Sequence, residues 1–171
     1  MTTIPEALDA TRRALEAEPA RAIARVRAEG RLEGGTDVAV RMGAHSVTID
    51  EPKSVGGGGA GPNPVQLVLG SLASCQAITY RWWAEILGIR LDSVTVQVEG
   101  DLDLRGFLGF DPDAPAGLAT VTCRATVEGP EEPARYEELA RAVDAHCPVL
   151  EVFRQPVAVE REMVIGGGSP P

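Results

Sequence analysis

Aromatic residues are scarce in this chain and make up 4% of its 171 residues. A hydrophobic core must therefore be built from Val, Leu, Ile and Ala. Basic residues are also a minority, because 16 Lys and Arg stand against 25 Asp and Glu and give a net charge of −9. On this balance we expect no binding to nucleic acid or to an anionic membrane surface through bulk charge.

Long apolar runs, cysteine pairs and histidine pairs are also missing. The chain has no run of about 18 apolar residues, so we expect no membrane-spanning helix. Acidic residues appear early in the N-terminal segment, which argues against a signal peptide and for a cytoplasmic protein. The three cysteines and two histidines form no C-x-x-C or H-x-x-x-H pair. These counts predict neither a disulfide-stapled secreted fold nor a metal site.

Alternating apolar and polar residues predict most of the strands. The segments that show this pattern are 25–33, 38–41, 47–49, 91–105, 117–127 and a last strand from Pro156 to Val164. With two helices between them, the order is β-β-β-α-β-β-α-β, which is typical of an α+β fold. We assign residues 1–24 to an N-terminal helical appendage, 25–165 to the domain, and 166–171 to a disordered tail.

Capping residues predict where the helices begin. Thr3 with Glu6 reads as a capping box for a helix that reaches about Ala17, and Asn63 before Pro64 reads as the start of a second helix. This second helix runs to about Leu87 and begins inside a stretch, residues 54–80, that contains no charged residue. Such a helix is predicted to be buried on every side, with help from a second subunit. A third helix follows Pro133, and its apolar stripe ends at Cys147.

The cysteines are the residues with the clearest chemistry. Cys75 lies in the middle of the uncharged helix, and Cys147 ends the later helix just before Pro148. Cys123 shares a strand face with valines and is interpreted as structural. His146 is either a base beside Cys147 or a residue that satisfies the helix dipole. The glycines from 56 to 61 lack the Lys-Ser/Thr of a phosphate-binding loop and are interpreted as a flexible loop.

Two motifs together resemble one known family. The segment Gly-Pro-Asn-Pro-Val-Gln-Leu-Val-Leu at 61–69, followed by Ser-Leu-Ala-Ser-Cys at 71–75, is similar to the signature of the OsmC/Ohr superfamily. This superfamily contains the osmotically inducible protein C and organic hydroperoxide resistance proteins. The segment His-Cys-Pro-Val-Leu at 146–150, followed by Gln-Pro-Val at 155–157, resembles its second cysteine and closing strand. The segments 47–52 and 100–106 look like its OsmC-like branch.

The resemblance implies a fold and a function. The implied fold has antiparallel sheets packed on a long central helix that carries the cysteine, in an intertwined homodimer. The implied activity is a thiol peroxidase for organic hydroperoxides in oxidative or osmotic stress defence, with Cys75 as the peroxidatic and Cys147 as the resolving cysteine. The implied reductant is a dithiol or lipoyl-type protein, and neither metal nor flavin is implied.

The family also uses an arginine held by a glutamate to activate the cysteine. Arg41 is the favoured counterpart of that arginine and Arg31 is the second choice, whereas Val65 and Gln66 stand where relatives carry the glutamate. We therefore expect weaker activation of the thiol. Two other functions stay open, namely a thiol–disulfide redox protein without peroxidase activity and a module that binds an apolar small molecule.

Overall fold

The computed structural model describes residues 2–166 and shows an α+β fold. Within that range the elements are α1 (Ile4–Ala17), β1 (Glu29–Gly34), β2 (Asp37–Met42), β3 (His45–Ile49), α2 (Pro64–Leu87), β4 (Ser93–Leu102), α3 (Leu104–Phe107), β5 (Leu118–Glu128), α4 (Pro133–His146) and α5 (Pro148–Arg154). The strands form two antiparallel sheets, β1-β2-β3 and β4-β5.

The predicted helix starts are confirmed by their capping bonds. The Thr3 hydroxyl accepts the Glu6 N–H, and the Glu6 carboxylate accepts the Thr3 N–H. The same reciprocal pair joins Asn63 and Gln66 at the start of α2. Gly88 ends α2 in the left-handed conformation with φ 62°, which glycine adopts at little cost.

The core of the protomer lies between α2, α4 and the β4–β5 hairpin. Its fully or nearly buried members are Tyr80, Ala84, Ile89, Leu91, Leu139 and Val143. The predicted apolar stripe of α4 is confirmed, because Leu139 and Val143 are completely buried. The short segment after Cys147 forms α5, which also packs against α2.

The three-stranded sheet stands apart from this helical body. Its predicted meander is confirmed, with Val38 opposite Ile49 and Val40 opposite Val47. The sheet makes no extensive contact with any of the described helices. Its connection to the rest of the protomer is mainly the segment that leads from Ile49 to the start of α2.

The prediction that α2 is buried on every side with help from a second subunit stays a prediction, because the single protomer leaves one face of α2 exposed. Four apolar side chains on one face are about half exposed, namely Val68, Ile78, Trp82 and Ile86. We call this face the α2 stripe. The helix α1 reaches one end of this stripe, where Pro5 and Leu8 line a concavity together with Ile86, while β4, α4 and α5 also pack against α2.

The predicted strand from Pro156 to Val164 is also not observed. Residues 156–166 have no regular structure, although the sequence alternates, and Val159 is 86% exposed. A strand forms only when another strand supplies hydrogen-bond partners, and none in the described protomer pairs with this segment. Residues 167–171 of the predicted disordered tail lie outside the described residues.

Two strand boundaries also differ from the prediction. The first strand begins at Glu29 rather than at residue 25, and Val26 before it is 90% exposed. The strand predicted to reach residue 105 ends at Leu102, because Asp103 caps the short helix α3 by accepting the Arg105 N–H.

Candidate functional site

Two of the three cysteines meet inside the helical body. The sulfur of Cys147 lies 3.5 Å from the sulfur of Cys75, although 72 residues separate them in sequence. Cys75 comes from the middle of α2, and Cys147 is the residue at which α4 ends and α5 begins. Cys147 is 2% exposed, while Cys75 is partly accessible. A disulfide requires the sulfurs to approach by about 1.5 Å more, to a bond of about 2.05 Å.

The surroundings of Cys75 favour the neutral thiol. Burial raises the pKa of Cys75, and the adjacent Cys147 raises it further. The Val149 N–H in the first turn of α5 and the Thr79 hydroxyl act in the opposite direction and lower this pKa, but they do not outweigh burial. No charged side chain of the described residues is among the groups that shift the Cys75 pKa.

The two predicted arginines lie elsewhere in the protomer. Arg41 pairs with Glu29 at 2.6 Å on the three-stranded sheet, and Arg31 lies 3.7 Å from Glu33. Both arginine side chains are largely exposed, and together they line a concavity of about 340 Å³ on one face of that sheet. The protomer therefore does not bring Arg31 or Arg41 to Cys75.

The side chains of Gln66, Val65 and His146 also form no hydrogen bond with the sulfur of Cys75 or Cys147. The Gln66 side chain is turned back to the Asn63 N–H at 3.0 Å and completes the cap of α2. Val65 is half-buried at the first turn. The His146 ring lies on the Trp83 ring with centroids 4.0 Å apart, and its Nδ1 is 2.7 Å from the Ala142 carbonyl oxygen.

The interpretation of Cys123 as a core residue is wrong for the single protomer. Cys123 is exposed and lines a cavity of about 440 Å³ between β5 and α5, together with Leu72, Phe153 and Arg154. Burial of the thiol group, and the charges of Asp144 and Cys147, raise the pKa of Cys123. Cys123 therefore borders the region of the thiol pair, and its raised pKa favours the neutral thiol.

One buried charge was missed by the sequence analysis. Asp50 follows β3 directly, is 3% exposed, and is the one buried acidic residue of the described part of the chain. Its Oδ1 accepts the Thr36 hydroxyl at 2.5 Å and the Glu51 N–H at 2.8 Å. Its Oδ2 accepts the N–H groups of Gly58 at 2.9 Å and Ala60 at 3.1 Å.

The Asp50 hydrogen bonds fasten the glycine-rich segment to the end of β3. Residues 56–61 form the predicted loop without helix or strand, and these bonds hold it against the end of β3. A Cβ on Gly57 would lie 1.8 Å from the Glu51 carbonyl oxygen, and one on Gly61 would lie 2.0 Å from that of Thr48. These glycines are needed because the two backbone segments run against each other. The sequence shows that the segment is rich in glycine. It does not show that the segment packs against the backbone of Thr48 and Glu51.

Two structural features are absent from residues 2–166. No helix there is long and apolar enough to cross a membrane. No group of three or more His, Cys, Asp or Glu side chains is placed to hold a metal ion.

A comparison with models of protein families identifies one family. The family model described as OsmC-like protein matches residues 56–162. No curated protein matches the chain. An OsmC-like protein from Mycoplasma pneumoniae superposes with a TM-score of 0.68 at 18% identity, covering 78% of this chain and 89% of that one.

Two other similar structures carry the name organic hydroperoxide resistance protein. The protein from Legionella pneumophila has a TM-score of 0.60 at 22% identity and covers 77% of this chain and 90% of its own. The protein from Elizabethkingia anophelis has a TM-score of 0.59 at 17% identity, with 78% and 91% covered. At these identities the likeness shows the fold.

Proposed function

The chain belongs to the OsmC-like protein family, and from this premise we propose that it is a thiol peroxidase that reduces organic hydroperoxides to alcohols. The observation that carries the proposal is the 3.5 Å contact between the sulfurs of Cys75 and Cys147. Two solved relatives with the same fold are named organic hydroperoxide resistance proteins. Their name supports the choice of substrate class.

The proposed reaction has two steps in the protein. The Cys75 thiolate attacks the distal oxygen of the hydroperoxide, the O–O bond breaks, and the alkoxide takes a proton and leaves as the alcohol. Cys75 is then a sulfenic acid. The Cys147 sulfur attacks the Cys75 sulfur, so that the S–O bond breaks, water leaves and a disulfide forms. A dithiol reductant, of the lipoyl type or another, restores both thiols by exchange.

The positions of the two cysteines suit these different roles. Cys75 is the more accessible of the pair and can meet a substrate, whereas Cys147 is buried behind it. Cys147 also lies at the junction of α4 and α5, where a small backbone shift can close the distance between the sulfurs. Accessibility and this junction support the proposed division of roles.

We propose further that the active unit is a homodimer built on the α2 stripe. With about 100° of rotation per residue, Cys75 falls within the same arc of the helix as Val68, Trp82 and Ile86. A second copy that covers the stripe therefore covers Cys75 as well. Such a copy also supplies what the protomer lacks, namely a charged group for the thiolate and a strand partner for residues 156–166.

The raised pKa of Cys75 favours a second candidate function. A thiol that is protonated at neutral pH reacts slowly with peroxide, and the same pair could then serve in thiol–disulfide exchange alone. The peroxidase is the better candidate, because the family supplies the substrate class and the stripe supplies a place for a completing subunit.

Peroxide consumption by the reduced protein distinguishes the two functions. Fully reduced protein is mixed without other thiols with one equivalent of cumene hydroperoxide, and residual peroxide and cumyl alcohol are measured. We expect one alcohol per protomer with the loss of two thiols. If the peroxide stays intact while an oxidised dithiol still oxidises the protein, the exchange function replaces the peroxidase.

A further inference from the structure

Asp50 has no part in the proposed chemistry, yet it is the most elaborately bonded side chain of the described protomer. Its carboxylate accepts four hydrogen bonds, and every donor is electrically neutral. These donors, the Thr36 hydroxyl first and the Ala60 amide next, hold the pKa of Asp50 below its ordinary value. A buried carboxylate costs free energy unless it is paired or hydrogen-bonded in this way. Its presence therefore indicates that the charged side chain has a function.

The four donors come from both sides of a junction. Thr36 lies in the turn between β1 and β2 and belongs to the three-stranded sheet. Gly58 and Ala60 belong to the glycine-rich segment that leads into α2. The Asp50 N–H adds a bond to the Pro62 carbonyl oxygen at 3.2 Å, one residue before the cap of α2. One side chain therefore ties the sheet to the entry of the cysteine helix.

This junction matters because the sheet has little other support. It makes no extensive contact with the described helices. The bonds around Asp50, together with the neighbouring backbone bonds from Gly57 and Gly59, are therefore what joins the sheet to the start of α2. The same sheet carries Arg31 and Arg41 on one concave face. An activating arginine must be aimed at the thiolate, and neither Val65 nor Gln66 offers the carboxylate that would aim it directly.

We propose that Asp50 is a positioning residue for Cys75: it locks the arginine-bearing sheet at a fixed orientation to α2, so that an arginine of this sheet reaches a Cys75 thiolate in the dimer. This inference rests on the proposed function and adds to it the residue that sets the approach of the cation. Within the protomer the groups that act on Cys75 are Cys147, Thr79 and the Val149 N–H. In the proposed dimer, Asp50 therefore acts on Cys75 through the position of an arginine of the three-stranded sheet.

The test measures the pH dependence of Cys75 alkylation by iodoacetamide, read by mass spectrometry of the Cys75 peptide. In Asp50→Asn we expect the midpoint to move up by about 1 pH unit, which corresponds to the loss of one nearby cation. The same replacement made in a protein that also carries Arg31→Met and Arg41→Met is expected to cause no further shift. Circular dichroism and the molar mass show whether each variant keeps its fold and oligomeric state.

A second pair of variants covers the case in which Asp50→Asn does not fold. Thr36→Val removes one of the four bonds and leaves the carboxylate in place, whereas Thr36→Ser keeps the hydroxyl. We expect a raised midpoint for Thr36→Val and the original midpoint for Thr36→Ser. If a variant only loosened the structure, its shift of the alkylation midpoint would be the same with and without Arg31 and Arg41.

Two outcomes overturn the proposal. One is a folded Asp50→Asn or Thr36→Val protein whose alkylation midpoint is unchanged. The other is a shift that persists in full when both sheet arginines are replaced. Because alkylation needs no peroxide, the positioning role is read even if the protein consumes no hydroperoxide, in which case the proposed function fails and this inference is judged separately.

Discussion

Asp50 and Cys75 are ionisable groups at the two ends of residues 50–75, and the protomer shifts their pKa values in opposite directions. The Asp50 carboxylate receives four hydrogen bonds, which lower its pKa. The Cys75 thiol is less deeply buried, but burial outweighs the two donors near it, and its pKa is raised. The difference teaches that donors, rather than depth, decide which group carries a charge. The Asp50 carboxylate is fully hydrogen-bonded within one chain, whereas no charged side chain of the described residues acts on the Cys75 thiol.

The largest effect is expected from replacing the two cysteines one at a time. Cys75→Ser should reduce peroxide consumption to the uncatalysed background, because the attacking sulfur is gone. Cys147→Ser should permit a single turnover and leave Cys75 as a sulfenic acid, which dimedone traps and excess peroxide oxidises further. Cys123→Ser serves as the control and should keep repeated turnover. If Cys147→Ser turns over as often as the unmodified protein, the resolving role is wrong.

A second large effect is expected when the completing subunit is removed. Ile78→Glu places a charge on the exposed α2 stripe and should halve the molar mass in sedimentation, since an unpaired buried charge costs several kcal/mol at an interface. The Cys75 alkylation midpoint should rise with it, because the cation is lost. Ile78→Leu is the matched control and should change neither. An unmodified protein that sediments as a stable monomer would contradict the dimer.

A smaller, opposite effect is expected from a carboxylate at the start of α2. Val65→Glu should lower the Cys75 pKa by about 1 unit by aiming an arginine at the thiolate, and peroxide reduction at pH 7 should speed up accordingly. Gln66→Glu should have little effect, because residue 66 is already turned to the Asn63 N–H. Stopped-flow rates of both variants test this, and a gain for Gln66→Glu alone would reverse the assignment.

The smallest effect concerns acid and the Asp50 site. The folded-state pKa of Asp50 lies below its ordinary value of 3.8. Its contribution to stability is therefore present above that ordinary value and is lost as the pH falls through the folded-state pKa. Urea midpoints between pH 7 and pH 2 should fall more steeply for the unmodified protein than for Asp50→Asn. Parallel curves for the two proteins would show that Asp50 does not contribute in this way.

The two sites also differ in how far the sequence could predict them. Asn63 with Pro64 located the start of α2, the α4 stripe located its buried face, and the resemblance paired Cys75 with Cys147, which lie in contact. Asp50 was missed because three of its four donors are backbone amides, and such donors leave no pattern of side chains. Its surroundings follow from how the glycine-rich segment packs, which only the fold defines.

The remaining differences have a common physical cause. The apolar α2 stripe and the alternating residues 157–163 both read as buried elements, yet each is exposed in the protomer. Periodicity reports that a surface is suited to burial, but it does not say which chain covers it. The roles of Arg31 and Arg41 could not be predicted for the same reason, since their distance from Cys75 depends on where a second copy lies.

The most direct test of the account is the disulfide that one equivalent of hydroperoxide produces. Reduced protein is treated, blocked with an alkylating reagent, digested without reductant and analysed by mass spectrometry. The account predicts a Cys75–Cys147 disulfide with Cys123 alkylated. A disulfide that contains Cys123, or three alkylated cysteines after the peroxide has been consumed, would contradict it.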